Sequence, residues 1–508
     1  MKPLVGLFVI GALICATSAL SQETHSHPPP EKLGHVTFAT SCAPRVEHDF
    51  ERAVALLHSF AYVAAEKAFQ DVAIADPRCA IAHWGVAMSY FHQLWSPPSP
   101  VELSKGKSEI DRALRLNVRP GRERQLIEAA AAYYDDFEHR SHRVRAKAYE
   151  EAMNTVAQSN PTDTEVQVFY ALSLIATAPL DDRSHANQKR AVAILEPIFR
   201  DYPDHPGVAH YLIHAYDSAE LAPRGLAAAR AYSKIAPSAP HALHMPSHTF
   251  TRLGLWDDSI TSNIAARTAA HSQRDLGEEL HAMDYLVYAY LQRGRQADAQ
   301  QVIASLAKMD GLVGSDFKVG YAATAMPARL AMERDNWNAA IALQPLPESS
   351  PQVAGVVFWA RAVANARAGH PRVAEADIKG LETGQQQLLA EGDTYWATQL
   401  DVMGKEARAW QAAANADANE AIRLMRAAAD VEDKVEKRPV TPGPIIPARE
   451  QLADLLLSLK RPQEALKEYR AALVAAPGRR RALVGAAQAA NLLGDAKVAS
   501  QMRAALSN

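Results

Sequence analysis

The sequence predicts an all-α solenoid built from stacked pairs of antiparallel helices. Three observations carry this prediction. From residue 44 onward the chain is almost entirely amphipathic helical pattern, rich in alanine and punctuated by short Asp-Pro, Gly-Asp and Asn-Pro turns. No sustained run of alternating β-branched residues occurs, so little or no sheet is expected. Finally, two histidine pairs stand in register: His210 to His244 is 34 residues, and so is His214 to His248. A fixed period of that order is the mark of stacked helical repeats.

Taken in order, Met1–Ser21 reads as a secretory signal. Lys2 gives a short positive start, Leu4–Cys15 is an apolar run, and Ala19 and Ser21 supply small residues before a cut near Gln22. Residues 22–43, with three prolines at Pro28–Pro30, form an extended lead-in. Helical pairs then fill 44–437, beginning with Pro44–Ser59, Tyr62–Ile74 and Arg78–His92. Trp95–Pro100 is a proline-rich loop. Residues 438–447 cannot be regular helix, because prolines stand at 439, 442, 444 and 447. This segment is either a bare connector or a strap lying across the concave surface. Residues 448–508 are the last helical units.

The repeat is clearest near the C-terminus. Leu452, Ala453, Leu456, Ala465, Tyr469, Ala472 and Pro477 combine small residues that let two helices approach, large ones that fill the gaps, and a proline that ends the second helix. This pattern resembles the tetratricopeptide repeat (TPR) family, with Arg449 where tryptophan is usual. Partial matches recur at Ala65, Phe69 and Pro77, at Trp84-Gly85, at Gly254–Ile260 and at Gly294–Ala299. The resemblance implies a right-handed superhelix whose first helices line a concave groove. In such a stack the first and third helices run parallel. Cys42 and Cys79, at the starts of those helices, are then placed to form a disulfide, as an exported compartment permits.

The chemistry concentrates in His205–Asp284. His210 and His214 are four apart, and His241, His244 and His248 are three and then four apart, so each set falls on one helical stripe. Aligning three successive first helices by their packing residues makes Gly207, His241 and His281 equivalent. The same alignment pairs His210 with His244 and Asp284, and His214 with His248 and Tyr288. The resemblance directs these side chains into one groove. His210, His214, His241, His244, His248, His281 and Asp284 are therefore candidate ligands for a transition metal, with zinc, copper and iron all compatible with imidazole and carboxylate donors. Asp217, Tyr288 and His58 are candidate supporting or groove residues. The alternative is a metal-free polar groove.

Other classes find little footing. A net charge of −3 over 508 residues gives no basic excess for nucleic acid. Beyond the signal, no apolar run is long enough to cross a bilayer. His210-Tyr-Leu-Ile-His214 lacks the glutamate of a zinc-protease HExxH, and neither a Gly-x-Ser-x-Gly elbow nor a P-loop is present. The expectation is an exported, periplasmic or secreted TPR scaffold that binds a peptide, protein or envelope ligand in a groove containing a histidine-rich site. A metalloenzyme on the same scaffold, oxidative or hydrolytic, is the alternative.

Overall fold

Helices form where the amphipathic pattern places them. The computed structural model describes residues 31–94, 97–116, 119–179, 181–438 and 440–506. The expected signal peptide, the lead-in up to residue 30, and Trp95 and Ser96 of the proline-rich loop lie outside the described residues. Among those described there is no strand.

The first pair shows the local logic. A short 3₁₀ turn, Pro44–Val46, leads into Glu47–His58, and the antiparallel partner is Tyr62–Ala75. The next helix, Ala80–Tyr90, packs back on that partner, and its Gly85 lies directly under the ring of Phe69, where a Cβ would collide. A glycine here is what lets the two helices approach so closely. Cys42 and Cys79 form a disulfide across this first unit, with their Cα atoms 4.7 Å apart. Side-chain caps start several later helices: Asp163, Asp275 and Asp316 each accept from backbone N–H groups of the first turn.

From Lys32 onward the chain is one compact unit of tetratricopeptide-like helix pairs. The stack also returns on itself. Helix Glu47–His58 packs on Pro206–Ala215, and Arg480–Leu492 packs on Leu276–Gln292. Fixed contacts secure the second meeting: Trp256 Nε1–H donates to Gly478 O at 3.1 Å, and the buried Arg479 pairs with Glu450 and Glu333 (2.8 Å each). The described part of the lead-in is pinned as well. Leu33, Val36 and Phe38 are buried, and His35 N–H donates to Asp204 O at 3.1 Å.

Two places differ from the simplest expectation. The segment His241–His248 is not one continuous helix but two short ones, Pro240–His244 and Pro246–Arg252. Pro246 has no N–H to continue the ladder, so the helix restarts there with proline in its first turn. The segment before Ala448 is held against helices that precede it in the chain. Arg329, fully buried, donates to the carbonyls of Gly443, Pro444 and Ile445, and Tyr285 Oη–H donates to Thr441 O at 3.1 Å. Held at these points, the segment forms a strap.

Candidate functional site: a six-histidine cluster

Three consecutive repeats supply the cluster. Pro206–Ala215 carries His210 and His214. The broken helix carries His241, His244 and His248. Leu276–Gln292 carries His281. All six imidazoles are buried, the most exposed at 6%. They sort into two neighbouring triads: His210, His214 and His241, then His244, His248 and His281. Within each triad the candidate donor atoms lie within 4.8 Å of one another. The two triads touch, with ring centroids 6.2 Å apart both for His214–His248 and for His241–His244.

Hydrogen bonds at the far side of each ring determine which nitrogen faces the cluster. His210 Nδ1–H donates to the backbone carbonyl of His58 at 2.7 Å, which leaves Nε2 as a lone pair. His244 Nδ1–H donates to Asn263 Oδ1 at 2.7 Å. The amide is fixed in that sense because Asn263 Nδ2 donates to Ser259 O at 2.8 Å. His248 Nδ1–H donates to the carboxylate of Asp217 at 3.0 Å. His241 directs Nδ1 at Glu278 (3.3 Å). These partners lock tautomer and ring orientation, as partners of metal-ligating histidines do.

The consequence is sharpest in the second triad. His244 and His248 both hold their proton on Nδ1, yet their Nε2 atoms stand only 3.0 Å apart. Two bare lone pairs at that distance repel unless a cation lies between them. Burial opposes charging a ring to resolve the conflict. Burial, reinforced by neighbouring imidazoles, holds His244 and His281 well below the ordinary histidine range, and burial brings His248 down to about 4 despite Asp217. Two nitrogens bound to one ion at about 2.0–2.1 Å would show a separation of this size. The first triad repeats the spacing, with His210 Nε2 and His214 Nε2 at 3.0 Å.

A third group, His58, Glu165 and His205, has similar composition but different chemistry. His205 Nδ1 accepts from the Val208 N–H, and its Nε2–H donates to Glu165 at 2.8 Å. His58 Nε2–H donates to the other oxygen of Glu165 at 2.8 Å, while its Nδ1 accepts from Tyr211 at 2.9 Å. Every ring nitrogen is committed. Burial raises the Glu165 carboxyl, but the two imidazoles outweigh it and hold it below the usual carboxylate range. This group is a brace. Through its backbone carbonyl, His58 carries His210, and Gly207 leaves the room that the His58 ring fills.

The remaining expected residues take other places. Asp217 supports His248 and is itself held by Arg252 (2.8 Å) and Lys437 (3.0 Å). Asp284 is not brought to the histidines; it faces Arg329, whose Nε is 3.8 Å away. Tyr288 lies against the guanidiniums of Arg329 and Arg479. Residues that sequence reasoning did not single out include Glu165, Asn263, Tyr285 and Arg329. Glu278 was within reach, since it stands three residues before His281 on the same stripe.

On the strap side lies a cavity of about 480 Å³, lined among others by Thr251, Arg252, Tyr395, Trp396, Lys437 and Thr441. Among the described residues, no helix is long and apolar enough to cross a membrane.

No protein-family model matches the chain, and no curated protein sequence matches it. Solved structures that it resembles are helical-repeat proteins. The human IFIT1 dimer with m7Gppp-AAAA is 14% identical, with 84% of this chain and 89% of that chain covered, at a TM-score of 0.41. The P58(IPK) TPR domain is 14% identical, with 89% and 99% covered and a TM-score of 0.22. Naa15/Naa10 bound to HypK-THB is 11% identical, with 91% and 68% covered and a TM-score of 0.25. At these scores nothing bound in those structures bears on this chain. The all-helical, TPR-like assignment rests on its own helix pairs.

Proposed function

We propose that this protein is an exported helical-repeat metalloprotein. The histidines His210, His214, His241, His244, His248 and His281 hold transition metal, and the surrounding scaffold binds a peptide, protein or envelope ligand on its inner side. The observation that carries the metal reading is the 3.0 Å approach of the His244 and His248 Nε2 atoms, both rings having their proton committed on Nδ1. The strap supports the ligand reading: the scaffold already grips a non-helical stretch of backbone by its carbonyls through Arg329 and Tyr285. The absence of a basic excess in the sequence favours such a ligand over nucleic acid. The Cys42–Cys79 disulfide supports an oxidising, exported location.

A specific observation also favours the metalloenzyme reading. Each triad supplies three nitrogens, one short of a closed tetrahedral set, and the strap-side cavity lies beside Asp217's partners Arg252 and Lys437. The test is elemental analysis of protein purified without a histidine tag, before and after exposure to zinc, copper and iron. Stoichiometric metal that falls in His244→Ala is the expected result. Metal at background in the natural sequence after all three exposures would sink the proposal.

A further inference from the structure

The two triads are one motif used twice. Each takes two histidines four apart from one repeat and a third from the next: His210 and His214 with His241, then His244 and His248 with His281. The same positions recur once more, as Asp284 and Tyr288. There the structure places a fixed cation, the guanidinium of Arg329. It is fully buried, its Nε 3.8 Å from Asp284 and its central carbon 4.6 Å from the Tyr288 ring centroid. The row thus runs triad, triad, guanidinium, and its third step holds a single guanidinium facing the Asp284 carboxyl.

The fixed charges around the triads are already matched. Asp217 faces Arg252 and Lys437, Arg252 also faces Glu436, and Glu278 faces Lys318. Three carboxylates meet three cations, the six ligands themselves are imidazoles, and Glu165, bonded to His58 and His205, is the one nearby buried carboxylate without a fixed cation. Two ions therefore add more charge than this one carboxylate offsets, in a buried site with no carboxylate among the donors. Two divalent ions side by side would repel about four times as strongly as two monovalent ions at the same separation. Burial also penalises the higher charge on each ion alone. Among metals that imidazole suits, copper is the one with an accessible monovalent state.

We infer that the six histidines hold a pair of cuprous ions, one in each triad. This rests on the metal-binding reading above and adds the number, identity and oxidation state of the ions. The surroundings keep the pair reduced: each oxidation to the cupric state would release one electron and leave one more uncompensated positive charge in the buried cluster.

The experiment is an anaerobic titration of the tag-free apoprotein with cuprous ion against a chromogenic cuprous chelator, and in parallel with Zn²⁺. Two cuprous ions per chain are expected, against one zinc, with any second zinc at least tenfold weaker. His281→Ala and His214→Ala should each bind one cuprous ion, and the double variant none. Because each single variant keeps one loaded triad, loss of folding is distinguishable from loss of a site. X-ray absorption of the loaded protein should show a cuprous edge with nitrogen neighbours. Two zinc ions bound as tightly as two cuprous ions would overturn the charge assignment while leaving metal binding intact. One cuprous ion in the natural sequence would overturn the pairing. No bound metal of any kind would overturn both this inference and the reading on which it rests.

Discussion

At the scale of single residues, histidine does several jobs in this chain, and its environment decides which. In the cluster the rings are locked by acceptors on one side and turned toward each other on the other. In the His58–Glu165–His205 group both nitrogens are spent, so the same side chain is a brace. His142, far from both in sequence, accepts from Tyr133 at 2.9 Å, and burial together with Arg145 and Arg438 pulls it down to about 4. The unfolded chain takes up this proton near pH 6.5, while the folded chain stays neutral until about pH 4. Between those values the unfolded state binds more protons, so this residue's contribution is lost as pH falls. His142→Gln keeps an acceptor for Tyr133 and removes the titration. The natural protein should lose up to about 3 kcal/mol more stability than this variant between pH 7 and pH 4, as measured by urea denaturation at each pH.

At the scale of elements, glycine and proline set how the helices meet. Gly207 occupies the position held by His241 and His281 in the next two repeats. A Cβ there would lie 2.5 Å from His58 Nδ1. That ring is stacked on Phe169 (centroids 4.7 Å apart) and bonded to Glu165, so it cannot yield cheaply. Gly207→Ala should cost about 1–3 kcal/mol in chemical denaturation, net of alanine's better helix propensity. Metal affinity should fall in the same variant, because His58 O orients His210. The helix pairs themselves were legible from the sequence, since apolar spacing and turn residues are local properties. So was the grouping of His210 with His214 and of His244 with His248, which helical geometry dictates. The division into triads was not, because it depends on which neighbouring helix each third histidine reaches. Alignment placed Asp284 beside His210 and His244, but alignment cannot see that Arg329 arrives from the following repeat to occupy that step. The His241–His248 break was signalled by Pro246 and is local in the same sense.

At the scale of the whole molecule, the chain is held by contacts between parts remote in sequence. The C-terminal repeats meet the middle of the stack through Arg479 and Trp256. The strap is held by one buried guanidinium that satisfies three successive carbonyls. Arg329→Met should therefore act at a distance. Breaking its ion pair and carbonyl bonds is expected to cost about 3–5 kcal/mol. Hydrogen exchange should rise for the amides of residues 440–446, while helix Ala448–Ser458 keeps its protection. Unchanged exchange in the strap would show that other contacts hold it.

Under the metal-binding proposal, the strap also bears on how an ion would enter and leave. Lys437 and Thr441 rest on Asp217 and Tyr285, whose ring stacks on His248 with centroids 4.9 Å apart. The histidine helices precede the strap in the chain, so during synthesis they are available before it docks. An ion captured then meets an open nest of imidazoles, whereas one arriving later meets a closed one. Occupancy would then be a record of the conditions under which the chain folded. In the finished protein, the exchange rate would be set by how often the strap lets go, which would decouple lability from thermodynamic affinity.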